Sequence, residues 1–314
     1  MNGLELSRGY FEQFGLPMLE SQFKDILPLL AVGSVGGGSD RFGFDDKISR
    51  DHDFEPGFCI FIPDEAVLSR RDAFLLERAY AKLPDEYLGI KRLRLSPVGG
   101  NRNGVILISD FYSSLTGSPD GRLDLHSWLT IPDHFLAKAT NGEIYFDNYG
   151  LFTEIRERLL NMPESIRRKR LAGNLLLAAQ AGQYNFERCL QHGESDAAKL
   201  ASFEFVQSAM KAVALINRVY LPYYKWSFRA LRRIPGGEEI AGLLSDILAG
   251  DCRDSSAARN TAGKIEEVSS RISAMLLENG LSSSSTENLK TLAYIINDSI
   301  ADGEVRNLNI LAAV

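Results

Sequence analysis

The sequence predicts an α+β chain, with a small mixed β-sheet and helices in the first half and an all-helical second half. Three observations carry this. Short apolar runs at residues 26–32 and at Phe58-Cys59-Ile60-Phe61-Ile62 flank a glycine-rich turn. Runs of that kind become rare after about residue 150. Beyond it, apolar residues recur at spacings of three and four, most clearly Phe203, Val206, Met210, Val213, Ile216 and Tyr220. The expected division is 1–150 and 151–314. It rests on a change of character, because Gly236-Gly237 and the serines at 282–285 are too short to be linkers.

Taken in order, residues 4–29 carry an apolar helical face that breaks near Gly15-Leu16-Pro17, so two short helices are expected. A strand then ends at Gly33, and a glycine-rich, acidic loop leads to a second strand over about 52–62. Residues 69–82 read as a helix stopped by Pro84. Residues 93–98 and 104–109 are strand candidates joined by Gly99-Gly100-Asn101-Arg102-Asn103-Gly104, whose glycines and asparagines suit a turn. Residues 142–147 form a last short strand. Helices over 199–220, 264–279 and 287–300 follow. Asn279-Gly280 is a stop signal and Ser284-Ser285-Thr286-Glu287 reads as a capping box.

The bulk numbers narrow the function classes. The 314 residues carry a net charge of −6, so the protein as a whole is not built to coat nucleic acid. Three scattered cysteines and four histidines point neither to a disulfide framework nor to a zinc or histidine-rich site. The N-terminus has no basic stretch followed by an apolar run, and nothing approaches a membrane span. A cytoplasmic protein is expected.

The chemistry gathers at Gly33 to Asp53. If strand two reaches back to residue 51, Asp51 and Asp53 stand on one face and His52 on the other. Two neighbouring carboxylates repel, and a hard divalent cation relieves that cost. Asp45-Asp46 reads as capping or solvating the loop, and Cys59 as core. On a helix, Lys225, Arg229, Arg232 and Arg233 share a basic face. Lys225 is either a solvated cation or a reach toward a bound anion. Arg167-Arg168-Lys169-Arg170 cannot all face one way, so a solvated surface is expected. Arg188 and Asp196 are further polar candidates in the helical half.

Gly38-Ser39, eleven intervening residues and Asp51-His52-Asp53 together resemble the nucleotidyltransferase superfamily related to DNA polymerase β. The longer string from Gly37 to Asp53, and Asn217-Arg218-Val219-Tyr220-Leu221-Pro222-Tyr223-Tyr224-Lys225-Trp226, look more specifically like an uncharacterised bacterial domain-of-unknown-function family within it. The likeness runs from about residue 30 to 233. It implies a nucleoside triphosphate held by Gly38, Ser39 and Asp40 and one or two Mg²⁺ on Asp51 and Asp53. Lys225 would reach the phosphates from the helical half. The implied reaction moves a nucleoside monophosphate to an acceptor hydroxyl of a small molecule, and the acceptor is not readable. The superfamily usually adds a third carboxylate on a later strand. The candidate strand at 104–109 has none; Asp110 follows it and Asp124 lies further on. Two alternatives stay open: a non-catalytic nucleotide-binding protein, and a transferase acting on tRNA, which the net charge disfavours.

Overall fold

The computed structural model describes residues 1–48, 54–92 and 102–314. The chain is α+β and folds as two compact units, Met1–Leu123 with Phe135–Asn161, and Asp124–His134 with Met162–Val314. Residues 151–161, expected in the helical half, belong to the first unit, and 124–134 to the second.

The first unit begins with α1 (Gly3–Tyr10). Asn2 and Glu5 form a reciprocal capping box. The break expected near Gly15 is a widened π turn at Phe11–Gly15, followed by α2 (Leu16–Gln22) with Pro17 in its first turn. Strands β1 (Ala31–Ser34) and β2 (Cys59–Ile62) pair antiparallel, with Gly33 opposite Cys59. Between them in sequence, residues 54–58 are not strand. Pro56 has no N–H to donate to a ladder, and so β2 starts later than the expected residue 52. The shared-face argument for Asp51 and Asp53 therefore has no described strand beneath it; both residues, with His52, lie outside the described residues.

After α3 (Arg70–Ala81) and a small ribbon of β3 (Glu86–Tyr87) and β4 (Ile90–Lys91), β5 (Gly104–Leu107) pairs parallel to β2. The strand expected at 93–98 lies outside the described residues. β5 is shorter than expected because the chain turns at Ile108 into α4 (Ile108–Thr116), which Gly117 closes in the left-handed region. Two helices follow: α5 (Leu125–Thr130) in the second unit, and α6 (Asp133–Thr140), through which the division runs. Strand β6 (Glu143–Asp147) then pairs antiparallel with β1, and α7 (Leu151–Leu160) ends the unit. The sheet order is β5-β2-β1-β6. Its core is aromatic: the fully buried Phe58 ring lies 5.1 Å from Phe11 and 5.0 Å from Tyr80.

The second unit is helical. It comprises α8 (Glu164–Ala178), a π turn at Ala179–Phe186, α9 (Glu187–Gln191), α10 (Ser195–Ile216), α11 (Tyr224–Arg232), α12 (Gly237–Ala249), α13 (Ser255–Glu278), α14 (Leu289–Asp298) and α15 (Gly303–Asn307). Helix α10 stops short of Tyr220; its end is followed by Arg218 at positive φ. The cap of α14 is Asn288, whose Oδ1 accepts from Thr291, rather than the expected serine box. Among the described residues no helix is long and apolar enough to cross a membrane.

The run Arg167-Arg168-Lys169-Arg170 is the main correction. Arg167, Lys169 and Arg170 are buried. Consecutive positions on a helix diverge by about 100°, and here the cations reach different partners, apart from Glu164, which Arg167 and Arg168 share. Arg167 bonds Glu164 and Leu215 O, Arg168 bonds Glu164 and Ser299, and Arg170 pairs with Asp133. The Lys169 ammonium donates to Asn297 Oδ1, Arg306 O and Leu308 O at 2.7–3.1 Å, and burial lowers its pKa.

Glu164 lies within 2.9 Å of Arg167, Arg168 and Arg218. Burial pushes its carboxyl up, but the guanidiniums outweigh this and the pKa ends below the ordinary range. A carboxylate with a lowered folded pKa stabilises above its unfolded value, about 4.3, and that contribution disappears as pH falls through the folded value. Glu164→Gln should therefore cost the second unit about 1 kcal/mol or less at pH 7, given its exposure, and should flatten the loss of stability below about pH 4.3. Urea melts at pH 7 and pH 3 check this.

Candidate functional site

One end of the sheet collects four chain segments. Because β1 runs opposite to β2, β5 and β6, the loop leaving β1 sits beside the residues that enter the other three strands. Arg102 and Asn103 lead into β5, and Asn141 and Gly142 into β6.

The loop is held open from both sides. Asn141 clamps Gly36, accepting from its N–H at 2.8 Å and donating to its carbonyl at 2.7 Å. Further along, Ser39 O accepts from Phe42 and Phe44, closing a tight turn at Asp40–Phe42. Between these anchors, the N–H groups of Gly37, Gly38 and Ser39 have no partner among the described residues. Gly38 has φ +124°, and a Cβ there would strike Arg102 Nη2 and Asp40 Oδ1, so only glycine fits. Gly37 faces open space.

The electrostatics are set by two arginines. Arg102 pairs with Asp40 at 2.7 Å and donates to Gly37 O at 3.1 Å. Arg41 is buried beneath the loop. Its guanidinium donates to Val35 O, Arg102 O, Asn103 Oδ1 and Cys59 Sγ, all neutral groups. A buried cation held by neutral acceptors keeps its positive potential, and it does so beside three unpartnered N–H donors. Such an arrangement suits an anion. Cys59 is core, as expected: burial pushes its thiol up, and it donates to Arg102 O at 3.2 Å.

Gly38, Ser39 and Asp40 thus share one loop. Asp40 pairs with Arg102. Asp46 accepts from Ile48 N, the loop-capping role expected of it, whereas Asp45 accepts from Gly3 N at the start of α1 instead of capping its own loop. Asp51 and Asp53 lie outside the described residues, and among the described residues no group of three metal-ligating side chains occurs. Asp110 is exposed in the first turn of α4. Asp124 caps α5 by accepting from Ser127 N at 2.7 Å, and that bond lowers its carboxyl pKa. Lys225 belongs to the second unit, exposed on α11 with its ammonium 5.3 Å from the Trp226 ring. Arg188 lies against Tyr184, and Asp196 pairs with Arg253 on the surface. Arg41, Arg102 and Asn141 were not singled out from the sequence. The only signal for Arg102 was its position in a Gly/Asn-rich turn ahead of a strand.

Residues 128–227 match the family model described as a domain of unknown function (DUF4037). The match covers the end of α5 through the first half of α11, including the 217–226 string. No curated protein and no solved structure matches the chain.

Proposed function

We propose that the chain is a Mg²⁺-dependent nucleotidyltransferase that binds a nucleoside triphosphate at the loop after β1. The observation that carries this reading is the row of N–H groups at Gly37, Gly38 and Ser39, unpartnered among the described residues, beside Arg102 and above Arg41. Backbone donors and a buried guanidinium together favour a polyphosphate. The sequence Asp51-x-Asp53, shortly before β2, supplies hard oxygen donors that fit Mg²⁺, since Asp40 is already paired. When bound, the metal would offset phosphate charge. The protein's own part is to orient the phosphates on the loop and, through Ser39, to donate a hydrogen bond to them. The acceptor is the hydroxyl of a small molecule.

A second reading, a nucleotide-binding protein without transfer, is favoured by one observation. β5 contains no acidic residue, Asp110 is exposed on a helix and Asp124 is a cap. The tRNA reading is disfavoured by the net charge of −6, and the run at 167–170 offers it little, because Arg167, Lys169 and Arg170 are buried.

Calorimetry with ATP, GTP, CTP and UTP in Mg²⁺ tests the shared part. One nucleotide should bind, and Asp51→Asn/Asp53→Asn should weaken it about 100-fold, or nearly 3 kcal/mol. Equal binding by both proteins would sink the proposal. Pyrophosphate release with a cell extract as acceptor source then separates the two readings: turnover excludes the non-catalytic one.

A further inference from the structure

The second unit contains a cleft of about 610 Å³, within the range of small-molecule sites, roughly 300–1,000 Å³. Leu129, Met210 and Leu221 give it apolar walls. Every lining residue except Ala312, Ala313 and Val314 falls inside the 128–227 segment, so the part of the chain that matches the family is the part that builds the cleft.

Three side chains in its wall are incompletely partnered; the first is Asp133, whose Oδ1 lies 2.7 Å from Arg170 Nη2 as an ion pair but accepts no hydrogen bond among the described residues. Asn174 is 3% exposed; its Nδ2 donates to Arg170 O at 2.8 Å, while its Oδ1 accepts nothing among the described residues. Arg170 is 7% exposed. Its Nη2 lies 2.7 Å from Asp133 and 3.3 Å from Ile131 O, but Nε and Nη1 have no acceptor among the described residues. Buried polar atoms are nearly always hydrogen-bonded, and exceptions ask for an explanation. Here the open valences are of both kinds, donors on Arg170 and acceptors on Asn174 and Asp133; the Asp133 oxygen sits at Arg170 Nη2, so Nε and Nη1 are the donors left for an anion. They are shielded from bulk water, so an occupant would meet them through the side-chain adjustments common on binding.

The rest of the lining narrows the occupant. Asp133 offsets the charge of Arg170, and Lys211 adds a second cation, so an anion of single charge is balanced. At the exposed side the Tyr223 ring lies 5.9 Å from His134 and 4.4 Å from Tyr224, giving a surface against which a planar ring can pack.

We propose that this cleft binds a small ring-bearing carboxylate that also carries an N–H or O–H donor. Its carboxylate is held by Arg170 and Lys211, its donor by Asn174 Oδ1, and its ring by Tyr223. The site is independent of the nucleotide reading, and its test needs no nucleotide. Saturation-transfer NMR and calorimetry on the full chain use 4-aminobenzoate and 4-hydroxybenzoate as probes. Benzoate, which lacks the donor, and aniline, which lacks the acid, are the comparisons. At least one of the two probes should bind with a Kd below about 1 mM, and benzoate and aniline should bind about tenfold more weakly. Lys211→Ala and Tyr223→Ala change exposed residues and leave the fold intact; each should weaken binding about threefold or more. Failure of both probes to bind overturns the proposal. So does benzoate binding as well as the probes, or binding that neither variant alters.

Discussion

Phe58→Ala should lower the stability of the first unit by about 3–5 kcal/mol, the usual cost of emptying a buried aromatic site. The ring is fully buried and is ringed by Tyr10, Phe11 and Tyr80. Gly15 leaves room for its edge, since a Cβ there would run into both Phe58 and Phe11. Collapse around the void is resisted because Tyr10 is tied to Pro84 O, and the Tyr80 hydroxyl accepts from the Phe58 N–H. Phe74→Ala on α3, where the ring is 55% exposed, removes the same atoms from water-facing surface and should stay within about 0.5 kcal/mol of wild type. Urea unfolding of both variants makes the comparison. A chain of two units can show two transitions, and only the one belonging to the first unit should move in Phe58→Ala.

Gly38→Val should weaken triphosphate binding on the order of 100-fold, while the chain stays folded. Two costs act together. A β-branched residue at φ +124° is strained, and its Cβ would displace the Arg102–Asp40 pair. Both effects move the N–H groups at Gly37–Ser39 out of line. Gly37→Ala is the matched control: its Cβ points into open space and its backbone is not in the left-handed region, so the loop keeps its form. Titration with a fluorescent ATP analogue reads the difference. Wild-type affinity in Gly38→Val would show that this loop does not hold the phosphates.

Much of this architecture was legible where a single residue dictates backbone geometry. The Gly-Ser turn, the helix ending before Pro84 and the stop at Asn279-Gly280, where Gly280 has φ +64°, all follow from local chemistry. What escaped depended on partners far away in sequence. β5 runs without interruption into α4 through the apolar string 104–108, and no local signal marks where pairing with β2 ends. Arg41 is an ordinary surface residue in composition; only the carbonyls of Val35 and Arg102 make it a buried anchor. The candidate site was partly legible for the same reason. Gly38 announces itself, whereas Asn141 acts across 105 residues on Gly36.

The three buried cations of α8 have a consequence for how the second unit comes apart. They fasten one helix to residues in α10, α14, the segment after α15 and the start of α6. Helical arrays whose elements touch only their sequence neighbours can fray from one end. An array pinned through a shared central helix cannot release one of those contacts without stranding a buried charge. Its openings are therefore concerted, and the slowest-exchanging amides of α8, α10 and α14 belong to one cooperative block.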